Sequence, residues 1–219
     1  LIHDIKSPLH FLNSVADHLT KNFATTSPEK NREIAKEIST SLNRLYLFTQ
    51  DFAIWLNASE PHQLQNASRI NMSTTIDESI AMYDEIITRK GLIILKQVHV
   101  TTMFGDAPMI KSIIRNLLDN AVKNTSNGRI SIAATTSTDE RSCEITIADE
   151  GKGLTDDQLE ELNHYLQSEQ ELLSFSSSQF GHKVIKDFIR KLSGSIRYQH
   201  NKPNGIIVTI SLPSASEQI

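Results

Sequence analysis

The sequence holds one cysteine, Cys143, among 219 residues. No intrachain disulfide can form, and no Cys/His pair has zinc spacing. A reducing compartment fits that usage. Long apolar runs are also missing. None reaches the roughly eighteen residues of a membrane span, and no signal peptide opens the chain. Long basic blocks are absent as well. With 22 Lys and Arg against 26 Asp and Glu, the formal net charge is −4, which argues against sequence-independent binding to DNA or RNA. There is no methionine at position 1, so the chain reads as a fragment of a longer protein. Apolar content of 38% and charged content of 22% are ordinary for a globular chain. The length suffices for one or two domains with a real core. No internal repeat is found.

What is there begins with Leu1-Ile2-His3-Asp4-Ile5-Lys6-Ser7-Pro8-Leu9. A neutral imidazole nitrogen can attack phosphorus near physiological pH. An adjacent carboxylate can accept the other ring proton and hold the attacking tautomer. His3 and Asp4 supply both groups, although an isolated His-Asp pair is more often a solvated helix face. Ile2, Ile5, Leu9, Leu12, Ala16, Leu19 and Phe23 alternate by three and four, a heptad seam over residues 1–24. His3 lies one place off that seam and can face outward. After a turn ending in Ser27-Pro28, a second helix is expected over 28–57. Its seam runs Ile34, Ile38, Ser41, Leu45, Phe48, Phe52, Trp55, broadened by Leu42 and Leu56. Two helices cannot bury two such stripes alone. A four-helix bundle made by two chains is the economical solution; a hairpin packed on its own second domain is the alternative.

Residues 58–68 read as a polar linker. A short strand at 69–72, a helix over 74–90 stopped by Gly91, and strands at 92–95 and 98–103 follow. Asp106 is a candidate cap for a helix over 107–124. That helix buries Ile110, Ile113, Ile114, Leu117, Leu118 and Ala121. Beside them, Asn116, Asn120 and Lys123 fall on one line by spacings of four and three. Strands are expected near 129–137 and 142–149. Cys143, Ile145, Ile147 and Asp149 share one face of the second by period two. Asp149 should therefore point inward at the strand's end, where a lone carboxylate needs a partner or a purpose. Asp149-Glu150-Gly151-Lys152-Gly153-Leu154 is a glycine-bearing turn. Thr155 with Gln158 suggests a capping box for a helix over 156–167. The serine-rich region up to Gln179 is expected to be mobile. A helix over 180–192, ended by Gly194, precedes two closing strands at 195–200 and 206–212, joined by a turn through 201–205.

Taken together, these motifs resemble the sensor histidine kinases. The opening stretch is similar to their phosphoacceptor box, His-Glu/Asp-x-x-Ser/Thr-Pro-Leu. Asn116 to Lys123 resembles the N box, Asp149-x-Gly151-x-Gly153 the G1 box, and Phe180-Gly181-His182 with the following helix the G2 box. Their order and spacing match the family over nearly the whole chain. The resemblance implies an α+β architecture: a helical hairpin forming a dimeric four-helix bundle, then an α/β sandwich that binds ATP, of the type shared with gyrase and heat-shock chaperones. The expected domains are 1–57 for dimerisation and histidine phosphotransfer, 58–70 as linker, 71–213 for ATP binding, and 214–219 as a tail.

The resemblance also implies roles. His3 would receive the γ-phosphoryl of ATP, with Asp4 beside it and Asp4-x-x-Ser7 similar to the family's phosphatase motif. An aspartate of a response regulator receiver domain would receive it next. Asn120 would offer a neutral oxygen to Mg²⁺. Asn116 would orient phosphates or water, and Lys123 would bring charge to the polyphosphate. Asp149 would accept from the adenine amino group. Gly151 and Gly153 would let the backbone pass close to the base, and Gly181 would lie by the phosphates; His182 would either contact a phosphate or simply be exposed. The implied setting is a cytoplasmic fragment acting as a homodimer, with no nucleic-acid partner. The parent protein would carry a sensor and be anchored in the inner membrane. The G2 region departs from the family's Gly-x-Gly-Leu-Gly-Leu: Ser177-Ser178-Gln179-Phe180-Gly181-His182 keeps only the last glycine. That departure motivates a second reading, a degenerate kinase serving as a dimeric docking or phosphatase module with weak ATP binding. A third, a chaperone-like or topoisomerase-like ATPase, leaves the His3 box unexplained.

Overall fold

The computed structural model describes residues 27–58, 67–100, 102–137, 142–168 and 177–213. The opening box with His3, Asp4 and Ser7, the first expected helix, most of the polar linker and the tail lie outside them. The chain divides into two compact units, Leu1–Glu60 with Leu172–Gly181, and Pro61–Glu171 with His182–Ile219.

In the first unit, helix α1 spans Pro28–Ala58. Ser27 Oγ accepts from the Lys30 N–H, as its position before Pro28 suggests. The expected seam is only half-buried from Ile34 to Trp55. Leu42, Tyr46 and Leu56 are 51%, 58% and 49% exposed. Phe180, 3% exposed, sits 4.7 Å from Phe48 by ring centroid. Its ring is also 6.4 Å from Phe52 and 6.5 Å from Trp55.

The second unit is built on a five-stranded mixed sheet in the order β2-β4-β5-β7-β6. Its strands are β2 (Leu92–Val98), β4 (Gly128–Thr136), β5 (Ser142–Asp149), β6 (Ser195–His200) and β7 (Ile206–Pro213). Among the described residues, only β2 and β4 pair in parallel. A separate ribbon joins β1 (Ala67–Asn71) to β3 (Thr102–Asp106). Period-two alternation decides which sheet face is covered. Ile130, Ile132, Ala134, Cys143, Ile145, Ile147, Val208, Ile210 and Leu212 are buried; the residues between them are half-buried or exposed. One covered face makes a two-layer α/β sandwich. The helix side of the core comes from α4 (Ala107–Asn124) and α6 (Ser177–Lys191), through side chains such as Ile110, Ile114, Leu118, Ile185 and Phe188. Each such side chain contributes about 1.5–3 kcal/mol when fully buried.

Three expectations shift. The helix expected over 74–90 is two, α2 (Met72–Ala81) and α3 (Asp84–Lys90). The break falls at Met82–Tyr83, where buried Tyr83 donates its hydroxyl to the Arg115 carbonyl at 3.2 Å. The strand expected over 98–103 starts at Thr102 and runs into the cap, Asp106, whose carboxylate accepts from the Met109 N–H at 3.0 Å. Helix α6 begins at Ser177, so the three residues before Phe180 belong to a helix and not to a loop. Helix α5 (Asp156–Gln167) carries the expected Thr155–Gln158 capping box.

Candidate nucleotide-binding site

Helix α4 presents Asn116, Asn120 and Lys123 as the sequence row predicts. The two asparagines are half-buried and Lys123 is exposed. Asn116 Nδ2 donates to the Ser112 carbonyl at 2.8 Å, which turns the amide along the helix. Lys123 pairs with Asp119 one turn earlier; both are solvated, so the pair adds little to stability. The C-terminal end of α4 is held from outside. Lys90 Nζ donates to the carbonyls of Val122, Lys123 and Thr125 at 2.6, 3.2 and 2.9 Å. A cation on the last carbonyls opposes the helix dipole and fixes where the helix stops.

Asp149 ends β5 and is 8% exposed, as its place on the apolar row requires. Its carboxylate accepts from the Gly151 N–H at 2.8 Å and from the Ile206 N–H. Burial pushes the carboxyl above the ordinary aspartate range, and those two N–H groups offset only part of that. Gly151 has no room for a side chain: a Cβ would lie 2.6 Å from the Asn124 carbonyl and 2.7 Å from Asp149 Oδ1. The Lys152 N–H also reaches the Asn124 carbonyl, at 3.3 Å. The turn after β5 is thus seated on the C-terminal end of α4. Lys123, Asn124, Ser126, Asn127, Glu150, Gly151 and Lys152 line one open polar depression there. Gly153, at φ +70°, packs on the Gly205 backbone.

Asp149, Gly151, Gly153 and Lys123 therefore gather around one end of the sheet, and Asn116 and Asn120 share the helix that borders it. His182 is in the same unit, its ring 6.2 Å from that of Tyr198. Gly181 falls in the first unit. Among the described residues, no group of three or more His, Cys, Asp or Glu is placed to hold a metal ion. Asn201 and Gly205 were not singled out by sequence. Asn201 Nδ2 donates to the Asp149 main-chain carbonyl at 2.8 Å. Their only sequence signal is turn chemistry, and the contact spans 52 positions.

Residues 105–216 match the family of histidine kinase-, DNA gyrase B- and HSP90-like ATPases, and the chain belongs to that family. Within it, the chain is a sensor histidine kinase catalytic core. Its similarity to the sensor histidine kinase YcbM of Bacillus subtilis strain 168 is 25% identity over 214 residues, 96% of this chain and 68% of YcbM. The chain spans about half the length of other curated relatives, 44% and 45% of two of them. The Acinetobacter baumannii histidine kinase AdeS shares the fold at a TM-score of 0.70 and 16% identity, over 98% of both chains. So does the histidine kinase ThkA, solved in complex with the response regulator protein TrrA. That match has a TM-score of 0.61 and 18% identity, over 100% of this chain and 61% of ThkA.

Proposed function

We propose that this chain transfers the γ-phosphoryl of ATP to His3 and then to an aspartate of a response regulator receiver domain. The observation that carries the proposal is Asp149: a buried carboxylate ending a core strand, held by two backbone N–H groups and bordered by Gly151 and the Asn-bearing helix. A carboxylate so placed accepts the adenine amino group and disfavours guanine, which has a carbonyl at that position. Asn116, Asn120 and Lys123 then face the polyphosphate. Asn120 and Asn116 bring neutral amide oxygens, and no cluster of carboxylates joins them among the described residues. That donor set fits Mg²⁺ carried largely by phosphates and water, with Asn120 as the protein ligand. When bound, the ion neutralises charge developing on the transferred group. The protein's own part is positioning and charge. Asp4 orients His3, and His182 contacts the phosphates.

In this reading, residues 1–57 form the dimerising phosphotransfer domain, 58–70 the linker, whose last four residues already run in β1, 71–213 the ATP-binding domain and 214–219 a tail. The exposed Leu42, Tyr46 and Leu56 support a homodimer built on α1. A cytoplasmic fragment of a membrane-anchored sensor fits; no helix among the described residues is long and apolar enough to cross a membrane. One observation favours the second reading, a docking or phosphatase module with weak ATP binding: Ser177–Gln179 are helical where the family has a glycine loop. The two readings part on phosphotransfer. Phosphorylated protein mixed with a cognate receiver domain should lose its label to the receiver. Label that never forms, or never leaves, supports the second reading. Leu45→Glu should convert a sedimenting dimer to monomer; a wild-type monomer at micromolar concentration contradicts the dimer.

A further inference from the structure

The adenine-reading carboxylate belongs to a residue whose main chain is itself gripped by a distant turn. The β5–β7 ladder extends to the pair Ala148↔Ile207. Past it, the chain between β6 and β7 folds over Asp149. The Asn201 N–H donates to the Gly205 carbonyl at 3.0 Å and closes the turn. The Asn201 side chain then points across it, and Nδ2 donates to the Asp149 carbonyl at 2.8 Å. Gly205, at φ +109°, lies so close that a Cβ there would stand 1.9 Å from the same carbonyl and 3.1 Å from Asp149 Oδ1. The next residue, Ile206, donates its N–H to the carboxylate. The turn and the first residue of β7 therefore touch Asp149 at its carbonyl and its carboxylate.

We propose that Asn201 is a positioning residue for nucleotide recognition: it clamps the Asp149 main chain so that the carboxylate is pre-aimed at the 6-amino group of adenine. The proposal rests on the reading of Asp149 as the adenine acceptor. Its physical basis is preorganisation. A hydrogen bond to a ligand is strongest when the acceptor needs no reordering on binding. The Asp149 carboxylate is tied to backbone N–H groups on both sides, Gly151 from its own turn and Ile206 from the far one. Asn201 keeps the far one in register. A role in folding alone would weaken every nucleotide equally. A role through Asp149 weakens only nucleotides that carry the amino group.

The test is a pair of titrations with Mg²⁺ present, one with ATP and one with purine riboside triphosphate, which lacks the 6-amino group. The wild type should bind ATP at least about tenfold more tightly than the analogue. Asn201→Ala should bind ATP about fivefold more weakly, the equivalent of one neutral hydrogen bond, and bind the analogue as the wild type does. Asn201→Asp keeps the shape but sets an oxygen against the Asp149 carbonyl, so its loss for ATP should exceed that of Asn201→Ala. Melting curves without nucleotide establish that each variant folds. Equal losses for both nucleotides, or wild-type discrimination kept in Asn201→Ala, overturn the positioning role and leave Asp149 standing. A wild type that binds both nucleotides equally overturns the adenine reading and the inference with it.

Discussion

Replacing Asp149 with asparagine separates recognition from folding. The substitution keeps size and shape in a site that is 8% exposed. It exchanges one acceptor oxygen for an NH₂ group that would face the adenine amino group, donor against donor. A lost hydrogen bond to a charged group costs about 1.5–3 kcal/mol, so ATP affinity should fall roughly ten- to 150-fold. Folding should respond oppositely. The remaining amide oxygen can keep a backbone partner, and a buried charge disappears. Apo stability should change by less than about 1 kcal/mol, toward stabilisation. pH adds an independent check. The folded carboxyl is held above its ordinary range by burial. Between the unfolded and folded pKa values, the folded state holds more protons, so the Asp149 contribution makes stability fall as pH rises through that window. Above it the contribution is flat. ATP affinity runs the other way, weakening as pH drops through the folded pKa and the acceptor is lost. Both pH trends should vanish in Asp149→Asn. A fluorescent ATP analogue titrated beside apo melting curves measures all of this. Unchanged affinity with damaged folding would refute the reasoning.

Thr155→Ala removes one half of the capping box on α5 and should cost about 1 kcal/mol in denaturant melts, with nucleotide affinity unchanged. Gly151→Ala would force a methyl to within 2.7 Å of Asp149 Oδ1 and 2.6 Å of the Asn124 carbonyl; we expect about 1–3 kcal/mol of destabilisation, together with weakened ATP binding by titration. The Tyr198 hydroxyl is buried without a hydrogen-bond partner among the described residues, and burial pushes its pKa far up. Tyr198→Phe should therefore raise stability by about 1 kcal/mol in urea melts, and a comparable loss would show that the hydroxyl is satisfied in solution.

Local chemistry made much of this fold legible. Asp106 and the Ile110-Ile114-Leu118 row define α4 from cap to apolar stripe, and its observed limits, Ala107–Asn124, agree. Period two placed Asp149 inward because its apolar neighbours on β5 must face the core. What escaped depends on contacts between distant positions. The break between α2 and α3 follows from Tyr83 reaching Arg115, 32 residues on. Helix α6 starts at Ser177 although it opens on two serines, and Phe180 in its first turn is buried against Phe48, Phe52 and Trp55. Asn201 and Gly205 look like any turn until the hairpin closes over Asp149. The opening box drew its meaning from chemistry and resemblance, and it lies outside the described residues.

The most direct test of the kinase assignment is labelling of His3. Protein incubated with Mg²⁺ and ATP labelled at the γ position should gain an acid-labile, base-stable phosphoryl group. His3→Gln should abolish it while leaving ATP affinity unchanged. Comparable labelling of His3→Gln, or none in a wild type that binds ATP, would contradict the account.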